Sequence, residues 1–333
     1  MSATVKTDDG MNDTPALTGR APAAPLRLGV SSCLLGEPVR YDGADKRDDW
    51  IAGRLAARCE CLSLCPEVGA GLGVPRPPVH LCGTPARPRA LGVDDPALDV
   101  TERLQRYATA TVDRLPDLHG YIFKSRSPSC GLRGVPVRGP RGALRPGRGL
   151  FAAALVAAAP GLPVAEEGDL AQPVLRDAFL EQAFARRRWQ QALAGGAGRT
   201  AVERFHAAHR LLLLSHGAGA LRTLDAVLAG AGGGAALVQA YESAFTRVLR
   251  QRATPRRQRV VLKRLLGMLE GGIDARLRRE LETAWQDYAD GRCGRRRLLA
   301  LLQQAGRRSG AADLAADVYL WPDADEAALR DFL

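Results

Sequence analysis

Three short apolar runs in this chain each end in a turn that carries a cysteine. Leu26 to Ser31 (LRLGVS) runs into Ser32-Cys33-Leu34-Leu35-Gly36, Cys59 to Leu64 into Cys65-Pro66-Glu67, and His119 to Lys124 (HGYIFK) into Ser127-Pro128-Ser129-Cys130-Gly131. Short apolar runs bounded by turn residues are what buried parallel strands look like. Between the first two, Asp48 to Arg58 has helical apolar spacing with an acidic start. That is a βαβ unit, whose strands must lie parallel with their carboxyl ends together.

The alternation continues. The Pro/Gly-rich stretch Gly69 to Pro78 predicts a loop, Val79 to Cys82 a short apolar segment, and Val100 to Leu115 a helix. Gly149 to Ala159 predicts a small apolar helix, Leu162 to Ala165 a strand, and Pro173 to Leu193 a long amphipathic helix. Ala194-Gly195-Gly196-Ala197-Gly198 then breaks the composition, and only helical patterning follows: Thr200 to Ser215, Ala218 to Ala229, Ala235 to Gln251, Pro255 to Glu270, Asp274 to Tyr288 and Arg295 to Ala305. The expected fold is α/β, an N-terminal Rossmann-like domain with a mostly parallel sheet over residues 26–193, then a linker at 194–199 and an all-α domain over 200–333. Residues 1–25 are polar and Pro/Ala-rich and read as a disordered tail, not a signal peptide.

No apolar run approaches a membrane span, so the chain reads as cytoplasmic, where thiols stay reduced. Its seven cysteines are then buried residues or metal ligands and not disulfides. In open parallel sheets, ligands bind beyond the carboxyl ends of the strands, which is where Cys33, Cys65 and Cys130 stand. Their spacings match no zinc-finger or ferredoxin pattern. On position alone they are either convergent ligands or small hydrophobes in buried turns, as Cys59, Cys61, Cys82 and Cys293 are expected to be.

The ordered set Ser32-Cys33-Leu34-Leu35-Gly36, Arg40-Tyr41-Asp42-Gly43, Cys65-Pro66-Glu67, Pro75-Arg76, Lys124-Ser125-Arg126-Ser127-Pro128-Ser129-Cys130-Gly131 and Glu166-Glu167-Gly168 resembles the DUF523 family of thiouracil desulfurases. The second half resembles DUF1722, and the two-domain arrangement is similar to that of desulfidases that remove sulfur from 4-thiouridine in tRNA. The resemblance implies a [4Fe-4S] cluster on Cys33, Cys65 and Cys130 with one iron free of protein ligands, able to act as a Lewis acid toward thiocarbonyl sulfur. It implies non-redox hydrolysis of C=S to C=O with release of sulfide. Glu67, two residues from a ligand, is the expected general acid/base, with Ser127 holding the base or the water. Lys124, Arg76, Arg40 and Asp42 are candidates for binding a pyrimidine edge or phosphate; each reads equally as an ordinary ion-pair residue. The Gly69-Ala70-Gly71-Leu72-Gly73 loop lacks the following helix and acidic residue of a dinucleotide fingerprint.

The formal charge of +11 favours an acidic partner, and nucleic acid is the commonest large polyanion, although the Arg-rich, Lys-poor composition is also what codon bias produces. Arg247 to Arg264 carries eight Lys/Arg and no acid. Arg250, Arg256, Arg257, Arg259 and Lys263 are the expected contacts to an RNA backbone, with His206 and His209 beside them. His206, His209 and His216 fall on one face of a continuous helix, without a carboxylate or thiol at ligand spacing. The second half departs from the DUF1722 pattern, reading Val260-Val261-Leu262-Lys263-Arg264-Leu265-Leu266-Gly267 where relatives have Asn-Val-Leu-x-His-x-x-Gly, and Asp323 after Tyr319-Leu320-Trp321-Pro322. Three functions fit: desulfuration of 4-thiouridine in tRNA, the same chemistry on free thiouracil or a thionucleoside, and a non-catalytic RNA-binding protein with a metal or cluster. Substrate apart, no obligate protein partner and no membrane association are expected.

Overall fold

The computed structural model describes residues 24–113, 115, 117–230, 232–310 and 314–330. All but the last two residues of the expected tail lie outside them. Four parallel strands, β1 (Leu26–Ser31), β2 (Cys59–Leu64), β5 (Gly120–Phe123) and β8 (Val164–Glu166), form a sheet in the order β2-β1-β5-β8. Alternate side chains go to opposite faces, as the period of a strand requires. Leu28, Val30 and Ile122 pack with Ile51, Leu55, Phe179 and Phe184 on one face, while Tyr121 and Phe123 pack with Phe151 and Leu155 on the other. This is the α/β layer the alternation predicts.

The helices are α1 (Pro66–Gly69), α2 (Thr101–Val112), α3 (Leu150–Ala158), α4 (Glu167–Leu170) and α5 (Pro173–Ala194). The segment expected as a helix over Asp48 to Arg58 is a short, widened π-type turn, Trp50–Leu55, that still buries Ile51 and Leu55.

A second sheet was not foreseen. It is built from β3 (Val79–Thr84), β4 (Arg87–Gly92), β6 (Val135–Arg138) and β7 (Leu144–Gly147) in the order β4-β3-β6-β7, antiparallel except for β3 beside β6. Only one face of it is apolar: Leu81, Ala90, Val135 and Val137 pack with Val100, Leu104 and Leu150. The remaining positions include Arg87, Arg89, Pro136, Arg138, Arg145 and Pro146, which weakens the strand signal in the sequence.

Beyond α5 the described elements are helical, α6 (Arg199–Ala208), α7 (Arg210–Ser215), α8 (Ala218–Ala229), α9 (Gly234–Leu249), α10 (Pro255–Leu269), α11 (Ala275–Ala289), α12 (Arg295–Ser309) and α13 (Ala324–Leu329). The single helix expected over Thr200 to Ser215 breaks at His209. Gly195 to Gly198 separate α5 from α6 as the composition suggests, yet α5 serves both cores: Phe179, Leu180 and Phe184 join the α/β core, Ala185 and Trp189 the helical one. Leu329 of α13 packs into the α/β core, so this helix is fastened onto the α/β region. No helix among the described residues is long and apolar enough to cross a membrane.

Candidate active site at the carboxyl ends of the parallel strands

Each cysteine turn is built from backbone hydrogen bonds that leave the thiol at the strand end. After β1 the chain makes one 3-10 turn, Ser32–Leu35, closed by Gly36 at φ 94°, a left-handed conformation that glycine adopts without strain. The Cys33 carbonyl accepts from the amides of Gly36 and Lys46. After β2, Cys65 caps α1, with Pro66 at the first helical position, and its Sγ lies 3.8 Å from the Val39 carbonyl oxygen. After β5, the Ser127 hydroxyl oxygen accepts from the amides of Ser129 (3.2 Å) and Cys130 (3.0 Å), which leaves its own proton to donate. The start of α3 rests on this turn, where a methyl group at Gly149 would sit 2.5 Å from the Ser129 carbonyl, so only glycine fits.

The three turns meet. Cys33 and Cys130 are buried and Cys65 is half-buried, and the thiols are close enough to act on one another electrostatically. Burial, then the Cys65 charge, pushes the Cys33 thiol up to about 11; burial first also pushes Cys65 and Cys130 up, with Cys65, Glu67 and Cys33 adding at Cys130. Thiolates in such a setting are stabilised by a positive group beside them. Among the described residues no group of three His, Cys, Asp or Glu that could hold a metal ion is found. In its chemistry, a donor set of three sulfurs on adjoining turns fits an iron–sulfur cluster.

Glu67 joins two of the turns. One carboxylate oxygen accepts from Arg76 Nε (2.8 Å) and Nη2 (2.7 Å), the other from the Ser129 hydroxyl (2.9 Å). Arg76 is buried, and its Nη1 donates to the carbonyls of Val39 and Gly73, both at 2.9 Å. Its amide also donates to the Tyr41 carbonyl. Arg76 thus ties the loop after Cys33 to Glu67 in the turn after Cys65. Four of its five N–H donors are engaged on Glu67 and two carbonyls, which is the ion-pair alternative of the sequence reading.

Lys124 is occupied in the same way. Its ammonium donates to Glu167 and to the Ser125 hydroxyl (3.0 Å), while Glu167 also accepts from the Ser125 amide (2.8 Å) and hydroxyl (2.6 Å). Burial pushes Glu167 up, but these donors outweigh it and hold the carboxyl below its usual range. Glu166 accepts from the Leu132 amide (2.8 Å) just past Cys130. Arg40 lies 3.5 Å from Asp42, and both are at least partly exposed at the rim. Ser129 and Glu167 are the residues that sequence reasoning missed as site members, although both sit inside the motifs that signalled the family. Arg126, three residues before Ser129, is exposed and holds a left-handed φ of 59°, uncommon outside glycine.

In the helical region the structure corrects the expectation for His206 and His209. Both are buried. His206 bonds Tyr241 OH and Asp225, each at 3.0 Å, and His209 donates from Nδ1 to the Phe205 carbonyl (2.7 Å) while Nε2 accepts from Arg188 (3.1 Å). They cannot reach an RNA backbone, and with His216 paired to Glu181 at 2.8 Å each of the three histidines is held by its own partners. Arg250, Arg256, Arg259 and Lys263 are exposed and Arg257 is half-buried. Arg250 donates to the Pro160 carbonyl, beyond the far end of α3.

Sheet, cysteine turns and carboxylate together define an α/β protein with a sulfur-rich centre, and comparison with known proteins supplies its family. Residues 28–167 match the family model of 2-thiouracil desulfurase, and residues 210–323 that of DUF1722, a family of unknown function. Among solved structures, the [4Fe-4S]-dependent thiouracil desulfidase TudS is 33% identical over 44% of this chain and 94% of its own length, with a TM-score of 0.37. Comparison with curated protein sequences gave no match. The chain belongs to the 2-thiouracil desulfurase family through its α/β region, and continues into a DUF1722 region.

Proposed function

We propose that this protein is a [4Fe-4S]-dependent desulfidase that converts the C=S of 4-thiouridine in tRNA to C=O by hydrolysis, releasing sulfide without a change of oxidation state. The observation that carries the reading is the meeting of three cysteine turns around Glu67. Cys33, Cys65 and Cys130 would hold the cluster. The cluster supplies, when bound with one iron free of protein ligands, a thiophilic Lewis acid that polarises the thiocarbonyl carbon and accepts the departing sulfur. Glu67 takes a proton from the attacking water and returns it to the ring nitrogen or sulfide, as a general base and acid must. Arg76 and Ser129 fix one oxygen each, so the carboxylate is oriented before substrate arrives. The Ser127 proton is placed to hold the water or the leaving sulfur. Lys124, locked to Glu167, shapes the wall of the site and brings no free charge to it; Arg40 and Asp42, at the rim, are the groups left to meet the base.

Support for a tRNA substrate is the charge of +11 and the exposed cations of α10, Arg256, Arg259 and Lys263, with half-buried Arg257 between them and Arg250 before the helix. The competing substrate is free thiouracil or a thionucleoside, as the name of TudS suggests for that enzyme. Protein purified and reconstituted anaerobically, assayed for sulfide release from thiolated tRNA and from free 4-thiouridine and 2-thiouracil, separates them. The expected outcome is a kcat/KM at least about tenfold higher on tRNA. Equal or better turnover of the free base assigns the site to small molecules, and no turnover of any of the three by protein with a full cluster leaves a non-catalytic cluster protein.

A further inference from the structure

From Leu118 to Ala165 the chain has no acidic residue, but between Lys124 and Arg148 it has seven cations, Lys124, Arg126, Arg133, Arg138, Arg141, Arg145 and Arg148. Three of them have structural partners: Lys124 on Glu167, Arg133 on Asp169 and Glu166, Arg148 on the Leu132 carbonyl (2.8 Å). Arg138, Arg141 and Arg145 are exposed, and none has an ion pair among the described residues. All three lie on the β6–β7 hairpin. Arg138 points away from the core, since its neighbours Val135 and Val137 take the buried positions, and Arg141 and Arg145 occupy the turn and the edge strand.

Where this hairpin springs from matters most. It leaves the Cys130 turn at Gly131 and returns to it at Gly149, whose amide donates to the Gly131 carbonyl (2.8 Å). The hairpin is therefore an excursion from one of the three cysteine turns, on the carboxyl side of the parallel sheet. The basic run of the second half is placed otherwise. Arg250 meets Pro160, just past the end of α3, and Arg186 of α5 meets the Leu118 carbonyl (2.9 Å) before β5 begins. Those contacts are at the amino ends of the strands, about 13 Å of strand away from the thiols at least. A polynucleotide whose thiolated base enters the cysteine site needs cations beside that entrance, and Arg250, held at the opposite ends of the strands, is not one of them.

We infer that the exposed arginine face of the β6–β7 hairpin, Arg138, Arg141 and Arg145, binds the phosphates of the RNA strand that flanks the thiolated base. The inference rests on the RNA reading of the site. Unpaired, exposed guanidiniums at an edge carrying no acid match the charge spacing of a phosphate backbone and add affinity by counterion release, without reading sequence. The hairpin, more than the helical region, then determines whether a polymer substrate reaches the site.

The test is the full-length, cluster-loaded chain carrying Arg138→Ser, Arg141→Ser and Arg145→Ser together, with Arg276→Ser/Arg308→Ser as a control of similar charge change on the helical region. Binding of thiolated tRNA is measured over a salt series, and sulfide release is measured on tRNA and on free 4-thiouridine. The expected result is tRNA binding weakened about tenfold or more, a salt slope shallower by about 2 to 3, a raised KM for tRNA, and unchanged turnover of the free nucleoside, with the control close to wild type. A triple variant that binds tRNA as tightly as wild type with the same slope overturns the inference while leaving the tRNA reading standing. A wild-type chain that neither binds nor desulfurates tRNA overturns both. Loss of turnover on the free nucleoside as well would show a disturbed site and not a lost phosphate contact, and so would also count against it.

Discussion

The two halves of this chain bury polar residues for opposite ends. In the α/β region, three thiols, Glu67, Ser129 and Glu167 are brought to one rim at the ends of parallel strands, where burial raises the thiol pKa values more than Lys124 and Arg40 at Cys33 and Arg76 at Cys65 lower them. On α5 and the elements packed against it, the buried charges named next meet partners of opposite sign. Arg330 bonds Asp177 (2.6 Å), Glu181 (2.7 Å) and Glu326 (2.8 Å), Arg188 pairs with Glu326, Arg187 with Asp323, and His216 with Glu181 (2.8 Å). Burial of a charge is tolerated when it is fully paired, and uncompensated burial of several like groups marks a place built to receive something. The contrast separates a site from a clasp.

The largest effect should come from the thiols. Cys65→Ala, and equally Cys33→Ala or Cys130→Ala, should abolish iron and sulfide binding and all turnover, read by iron content and visible absorbance; Cys59→Ala should leave both in place. Next, Arg330→Ala should cost about 3–5 kcal/mol of stability, because buried Asp177 would lose the arginine it pairs with, and Glu181 and Glu326 would each keep only one of two cationic partners. Chemical denaturation checks the loss, and cluster content per folded chain should not change. If Arg330→Ala emptied the cluster without destabilising the fold, clasp and site would not be separate.

Ser129→Ala frees one oxygen of Glu67 and should slow turnover by about tenfold with little effect on stability, since one hydrogen bond of about 1 kcal/mol is lost. The smallest effects are on pH dependence, and the two regions should differ in sign. Burial, with Arg187, Arg186 and Arg27 nearby, holds His119 down to about 4, so its contribution is present above its unfolded value near 6.5 and fades as pH falls toward 4. Burial opposes charge on His216, but Glu181 and the Gln251 carbonyl outweigh burial and the repulsion of Arg330 and raise it. Its contribution is full below about 6.5 and fades as pH rises through the raised value. The cost of His119→Gln should therefore shrink, and that of His216→Gln grow, by on the order of 1 kcal/mol as pH drops from 8 to 5 in denaturation titrations. Parallel trends would remove the contrast.

What the sequence discloses follows the same division. β1 and β2 lie within their expected bounds and α8 over its expected span, because their apolar positions repeat at the period of the element. The cysteines could be placed at strand ends because a βαβ unit fixes which ends those are. β4, β6 and β7 were hidden because Arg87, Arg89, Pro136, Arg138, Arg145 and Pro146 weaken their strand signal. His206 and His209 looked like surface ligands on a shared helical face. Their burial depends on Tyr241, Asp225 and Arg188, which are 19 to 35 residues away and invisible to local periodicity. Arg76 reads locally as a spare cation, and only the fold shows Glu67 nine residues before it as its partner.

The most direct test of the account is Glu67→Gln in anaerobically reconstituted protein, with iron and sulfide quantified on the same sample whose sulfide release from 4-thiouridine is measured. The account predicts a cluster content equal to wild type and a turnover lower by about 10²- to 10⁴-fold, since the three thiols are untouched and the proton carrier is gone. Turnover near the wild-type rate on a full cluster would contradict it.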